Sequence, residues 1–157
     1  MTAQASSAVA DRPLVDAQGR AISYLRVALT DRCNFRCTYC SPAAYEAPEG
    51  LLSRAELGRL FRLFAGLGVR RIRLTGGEPT LRVDVVEIVA DAAATPGIED
   101  VALTTNGHRL AELVEPLRAA VRRGGSSKRT SCCASGSRTS SRSCATSTSS
   151  STRSYRR

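Results

Sequence analysis

No stretch of the 157-residue chain approaches the roughly 20 consecutive apolar residues of a transmembrane helix, so no membrane partner is expected. The start, Met1 to Ala10, lacks the basic residues and apolar core of a secretory signal. There is one histidine, His108, which leaves a single imidazole for any metal or acid–base centre and reads best as a surface loop residue. Residues 124–157 contain no acidic residue and no Leu, Ile, Val, Phe or Met, but 13 serines and 5 threonines. Such a segment cannot bury enough apolar surface to offset an ordering cost of about 1–2 kcal/mol per residue, and a disordered tail is expected.

The missing acids also account for the charge. A net +9 suggests a nucleic-acid binder, but Lys128, Arg129, Arg138, Arg142, Arg153, Arg156 and Arg157 carry seven of those charges. The preceding 123 residues are near neutral at +2, so no nucleic-acid partner is expected of the folded part. The composition breaks near residues 120–125, where a fourth strand is due. The break reads as a reading-frame shift, in the gene or its sequence; a genuine Ser/Arg-rich tail is the alternative.

Six cysteines are present without a secretory signal. In a reducing cytoplasm, the expected location, closely spaced cysteines more often bind metal or a cluster than form disulfides.

Residues 1–20 are small and polar and read as a flexible arm. Residues 21–121 alternate between β-branched or aliphatic runs and helical periodicity. Strands are expected at Tyr24–Thr30, Arg71–Thr75 and Asp100–Thr104. Ser53-Arg54-Ala55-Glu56 is a capping-box pattern, and Leu57, Leu60, Phe61, Phe64 and Leu67 follow at helical spacing until Gly66 and Gly68. A second helix runs through Val85, Val86, Val89, Ala92 and Ala93; a third runs through Leu110, Leu113, Val114, Leu117 and Val121, with a kink or restart expected at Pro116. Three strand–loop–helix units in succession predict an α/β fold, the amino-terminal half of a partial TIM-like barrel, with residues 122–157 as a low-complexity tail. The loops after the strands then gather at one end of the sheet, where such folds do their chemistry.

The first of those loops holds Cys33, Cys37 and Cys40 in a C-x3-C-x2-C pattern. Three nearby thiolates can hold three irons of a [4Fe–4S] cluster and leave the fourth open to a small molecule. A structural zinc site completed by a distant fourth ligand is the alternative on spacing alone. The second strand ends in Gly76-Gly77-Glu78-Pro79, 36 residues past Cys40. Its glycines permit close backbone approach to a ligand, and Glu78 could accept bonds from an ammonium group.

Cys33-x3-Cys37-x-Tyr39-Cys40 together with Gly76-Gly77-Glu78-Pro79 resembles the two signatures of the radical S-adenosylmethionine superfamily. Within it, Leu25 to Cys37, Ile72 to Arg82 and Leu103-Thr104-Thr105-Asn106-Gly107, in that order and at matching separations, resemble the GTP 3′,8-cyclase family of molybdenum cofactor biosynthesis, over residues 19 to about 120. The resemblance implies a [4Fe–4S] cluster and S-adenosylmethionine as cofactors. It also implies a 5′-deoxyadenosyl radical that removes a ribose hydrogen from GTP, and closure to 3′,8-cyclo-GTP. It leaves a homodimer open for the parent enzyme. A peptide-modifying radical enzyme with the same amino half, and a small zinc module with a basic tail, are the competing readings.

Period-2 alternation puts Arg26, Ala28 and Thr30 on one face of the first strand, Arg71, Arg73 and Thr75 on one face of the second, and Ala102 and Thr104 on one face of the third. The aliphatic faces want the helices, which leaves Arg26, Arg73 and Thr104 pointing into the barrel. Buried arginines need anionic partners, either phosphate oxygens or neighbouring carboxylates. The resemblance places GTP contacts on Arg26, Arg73 and Thr104, and S-adenosylmethionine contacts on Tyr39 and Gly77. Cys132, Cys133 and Cys144 do not match the family's spacing for a second cluster. The fourth strand with its cofactor-contacting serine, and everything beyond it, is missing from the pattern, so the chain as written is expected to be inactive and marginally stable.

Overall fold

Helix α1, Arg54–Gly66, begins where the capping box predicts. The Ser53 hydroxyl accepts from the Glu56 amide, and Glu56 accepts from both the Ser53 amide at 2.8 Å and its hydroxyl at 2.7 Å. Those bonds hold the Glu56 carboxyl below the usual carboxylate range. Gly68 follows the helix with a positive φ of 94°, a conformation that suits glycine. The computed structural model describes residues 13–38, 40, 50–124, 129–134 and 144–145.

The strands are β1 (Tyr24–Ala28), β2 (Arg71–Thr75), β3 (Asp100–Thr105), β4 (Arg129–Ala134) and β5 (Cys144–Ala145). The other helices are α2 (Val85–Ala94) and α3 (Leu110–Arg123), with a short 3₁₀ turn at Pro79–Leu81. The sheet runs in sequence order, β1 to β4 parallel and β5 antiparallel to β4. Sequential parallel strands joined through helices give the expected α/β half-barrel, with the loops after β1, β2 and β3 at one end.

Two expectations need correction. The tail was expected to carry no element, yet Arg129–Ala134 pairs with β3 in register, from Asp100↔Arg129 to Thr105↔Ala134. Main-chain pairing depends little on side-chain type, and a parallel strand with an open edge offers a full row of unmet donors and acceptors. Cys144–Ala145 pairs in turn with β4, and the tail's remaining residues from 125 on lie outside the described residues. Helix α3 also continues through Pro116 without a restart. Proline costs it one backbone bond, to the Glu112 carbonyl, and both residues are exposed where water can replace that bond. At the other end of the chain, residues 13–21 close into a turn: Val15 bridges Ala21, and the Leu14 amide donates to the Leu67 carbonyl at 3.1 Å.

The core lies between the sheet and the helices. Val27, Leu29, Ile72, Leu74, Val101 and Leu103 face Leu57 and Phe61 of α1, Ile88 and Val89 of α2, and Leu117 and Val121 of α3, all buried. The alternation therefore assigns the helix-covered face correctly. On the opposite face Arg26, Ala28 and Arg71 are exposed, and Arg73, Thr75 and Thr104 are half-buried. Of the two arginines expected to be buried, Arg26 is exposed and Arg73 is half-buried, with its Nε shielded from water.

Candidate active site

The turn after β2 is built against the root of the cysteine loop. The Gly77 amide donates to the Thr30 carbonyl at 2.7 Å, and the Glu78 amide to the Arg32 carbonyl at 2.8 Å. A Cβ on Gly76, whose φ is 145°, would stand 2.2 Å from the Thr30 carbonyl oxygen; one on Gly77 would stand 2.4 Å from that of Arg32. The two glycines let the chain approach itself, whereas sequence reading assigned that freedom to a ligand.

Glu78 is also used differently from the ammonium acceptor expected. It is 1% exposed, and its Oε1 accepts from the Thr80 amide at 3.0 Å, the Thr80 hydroxyl, and the Thr105 hydroxyl at 2.7 Å. Its Oε2 accepts from the Asn106 amide at 2.6 Å. Four donors from the chain meet a buried carboxylate, which removes most of the penalty for taking it out of water.

Cys33 and Cys37 are half-buried, Cys40 is exposed, and all three are free thiols. Phe35 donates its amide to Cys33 Sγ at 3.4 Å, and Cys40 donates its amide to the Cys37 carbonyl at 3.0 Å. Tyr39 lies outside the described residues. Among the described residues no three His, Cys, Asp or Glu side chains gather as a single metal ion needs. A cuboidal cluster binds each thiolate at a different iron, so its ligands need not converge on a point, and three free thiols in one loop fit that donor set.

Arg26 of β1 and Arg73 of β2 are partners in register, with Ala102 of β3 next in the row. Adjacent strands lie about 4.8 Å apart, so the two side chains start side by side on the same face. The Arg73 guanidinium lies 6.0 Å from the centre of the Tyr24 ring. Arg26 takes part in none of the ion pairs among the described residues. The Thr104 hydroxyl is buried without a hydrogen-bond partner among the described residues. The three predicted substrate residues thus share the open face of neighbouring strands.

The profile of the radical SAM superfamily matches residues 27–123, more than half the chain. The chain belongs to the radical SAM superfamily. Membership implies an iron–sulfur cluster and S-adenosylmethionine. The radical SAM chain is 51% identical over 111 residues to Molybdenum cofactor biosynthesis protein 1 of Drosophila melanogaster, covering 69% of this chain and 20% of the relative. It is 51% identical over 107 residues to a GTP 3′,8-cyclase of Aeromonas hydrophila, covering 64% and 31%. Against a GTP 3′,8-cyclase of Stenotrophomonas maltophilia it is 55% identical over 96 residues, covering 60% and 29%. It spans between a fifth and a third of the length of these relatives.

Three contacts of this radical SAM site escaped the sequence reading. Asn106 Nδ2 donates to Asn34 Oδ1 at 2.8 Å, although Asn106-Gly107 reads only as a turn. The Phe35 ring meets His108, exposed as expected, edge-on at 6.0 Å. Arg82 donates to the Leu29 carbonyl at 3.0 Å, the Leu52 carbonyl at 2.8 Å and Asp84 at 2.7 Å, tying the end of β1 to the approach of α1. The Arg82 bond holds the Asp84 carboxyl below its usual range. No local pattern marks these residues, since each partner except Asp84 lies 30 or more residues away in sequence. On the helix side, an open groove of about 680 Å³ between α1 and α2, lined by Arg54, Arg59, Arg62 and Asp91, contains none of the predicted site residues. No helix among the described residues is long and apolar enough to cross a membrane.

Proposed function

We propose that Cys33, Cys37 and Cys40 hold a [4Fe–4S] cluster, that Tyr39 and Gly77 contact S-adenosylmethionine, and that Arg26, Arg73 and Thr104 hold GTP. The reaction is conversion of GTP to 3′,8-cyclo-GTP, as the names of the relatives suggest. The observation that carries the reading is the Arg26–Arg73 pair, in register on the two strands that end in the cysteine loop and the double-glycine turn. A triphosphate suits two neighbouring guanidinium groups, whose planar forks match phosphate oxygens. The buried Thr104 hydroxyl, on the next strand, is a donor for the same nucleotide. When bound, the cluster and S-adenosylmethionine supply one-electron reduction and radical chemistry, while the protein supplies placement. A cytoplasmic setting, where thiols stay reduced, suits the three cysteines.

The chain as given binds without turning over. Radical chemistry needs water excluded, and the face bearing Arg26 is exposed. The superfamily match ends at residue 123, next to the composition break, which supports division into an arm (1–20), a half-barrel (21–121) and a tail in a shifted frame (122–157). The gene past the codon for Arg118 should encode a hydrophobic strand in another frame; uninterrupted coding with none overturns the frame shift.

Anaerobic reconstitution with iron and sulfide, followed by GTP titration, tests the site. The expected result is a [4Fe–4S] chromophore that Cys33→Ala abolishes, and GTP binding weakened about tenfold or more by Arg26→Ala. Zinc without iron or sulfide overturns the cluster, and GTP binding indifferent to Arg26→Ala overturns the substrate site. Formation of 3′,8-cyclo-GTP by the chain alone refutes the claim that it does not turn over.

A further inference from the structure

The loops after β1, β2 and β3 meet at one residue. Asn106 donates its amide N–H to Glu78 Oε2 at 2.6 Å, accepts the His108 amide on Oδ1 at 2.9 Å, and donates Nδ2 to Asn34 Oδ1 at 2.8 Å. The first bond roots it on a carboxylate that is 1% exposed and already holds Thr80 and Thr105. The second closes its own turn, which the Gly107 amide reinforces by donating to the Thr105 hydroxyl at 3.1 Å. The third reaches 72 residues back, to the neighbour of Cys33. Phe35, the next residue along, both donates to Cys33 Sγ and meets the His108 ring. A well-anchored loop therefore grips the cysteine loop at two consecutive residues.

We propose that Asn106 is a positioning residue for the cysteine loop: it carries the order of the buried Glu78 out to Asn34 and limits how far Cys33 and Cys37 stray before a cluster forms. The purpose of this device rests on the cluster reading above, while its mechanics do not. Three thiolates must come to one cluster, and each rotation frozen beforehand is a rotation that assembly need not freeze. The direction of the key bond is fixed locally. Because Asn106 Oδ1 receives the His108 amide, the other end of its amide must donate, and Asn34 must accept.

That direction makes the test selective. Asn34 is exposed, so substitutions there leave the core intact. Asn34→Ala removes the acceptor; Asn34→Asp keeps one. In the full chain without iron, alkylation of Cys33 and Cys37 is followed by mass spectrometry, with the exposed Cys40 as internal reference. Asn34→Ala should speed modification of Cys33 and Cys37 about three- to tenfold, and Asn34→Asp should stay within about twofold of the unaltered chain. The cluster-loaded chain should show the same order in its rate of iron loss to a chelator, with thermal melting unchanged. Equal rates in the two variants, or no acceleration in Asn34→Ala, overturn the proposal. If the unaltered chain forms no cluster, the proposed function falls, and the alkylation rates still decide the positioning role.

Discussion

On the helix side of the sheet, Ile72, Leu74, Val101 and Leu103 are at most 2% exposed; on the other side of the same sheet, Arg26, Ala28 and Arg71 meet water. One face holds the fold together at roughly 25 cal/mol per Å² of apolar surface removed from water. The other contributes little of that kind and sets two like charges side by side. Alternation by single residues lets one strand serve both needs, because neighbouring side chains never compete for the same surface. The contrast predicts that stability and nucleotide binding respond to different substitutions in the same few residues.

The sharpest break should come from the covered face. Phe61→Ala removes a side chain that is 0% exposed from the centre of the α1 contact, and should cost about 3–5 kcal/mol in urea denaturation, enough to unfold much of the population. A loss below 1 kcal/mol would mean that this face does not carry the stability assigned to it. At the rim joining the two faces, Glu78→Gln replaces one acceptor oxygen with a donor and leaves a Thr105, Thr80 or Asn106 donor opposed. The expected cost is about 1–3 kcal/mol, with faster amide exchange in both the 76–80 and 105–108 loops. Exchange confined to one loop would show that Glu78 does not join them. The smallest stability effect belongs to the open face: Arg26→Ala should shift the denaturation midpoint by no more than about 0.5 kcal/mol in either direction, while GTP affinity falls. A large loss of stability there would erase the distinction between the faces.

What could be read from sequence follows how far each interaction reaches. The Ser53–Glu56 box spans one helical turn and was predictable from four residues, as were the bounds of β2. The covered face followed from strand alternation. Burial of Arg26 was misjudged because burial depends on what lies across a face, which a strand's own residues do not encode. Glu78 was assigned to a ligand because its partners, Thr105 and Asn106, stand 27 and 28 residues away. The strand at Arg129–Ala134 was missed since pairing to the β3 edge uses main chain, to which composition arguments are blind. Cys33, Cys37 and Cys40 were singled out by motif spacing and Gly77 by family resemblance, and the contacts around them were not legible.

The contact between Gly76-Gly77 and Thr30–Arg32 has a mechanical consequence. Backbone rests on backbone there, with room for not even a methyl group between them. Such a seam has no rotamers to reshuffle and no padding to compress, so a displacement at the end of β2 passes undamped into the segment that leads to Cys33. The roots of the two signature loops are therefore joined as one stiff part. A change that tilts either strand should move both roots together and keep their mutual spacing.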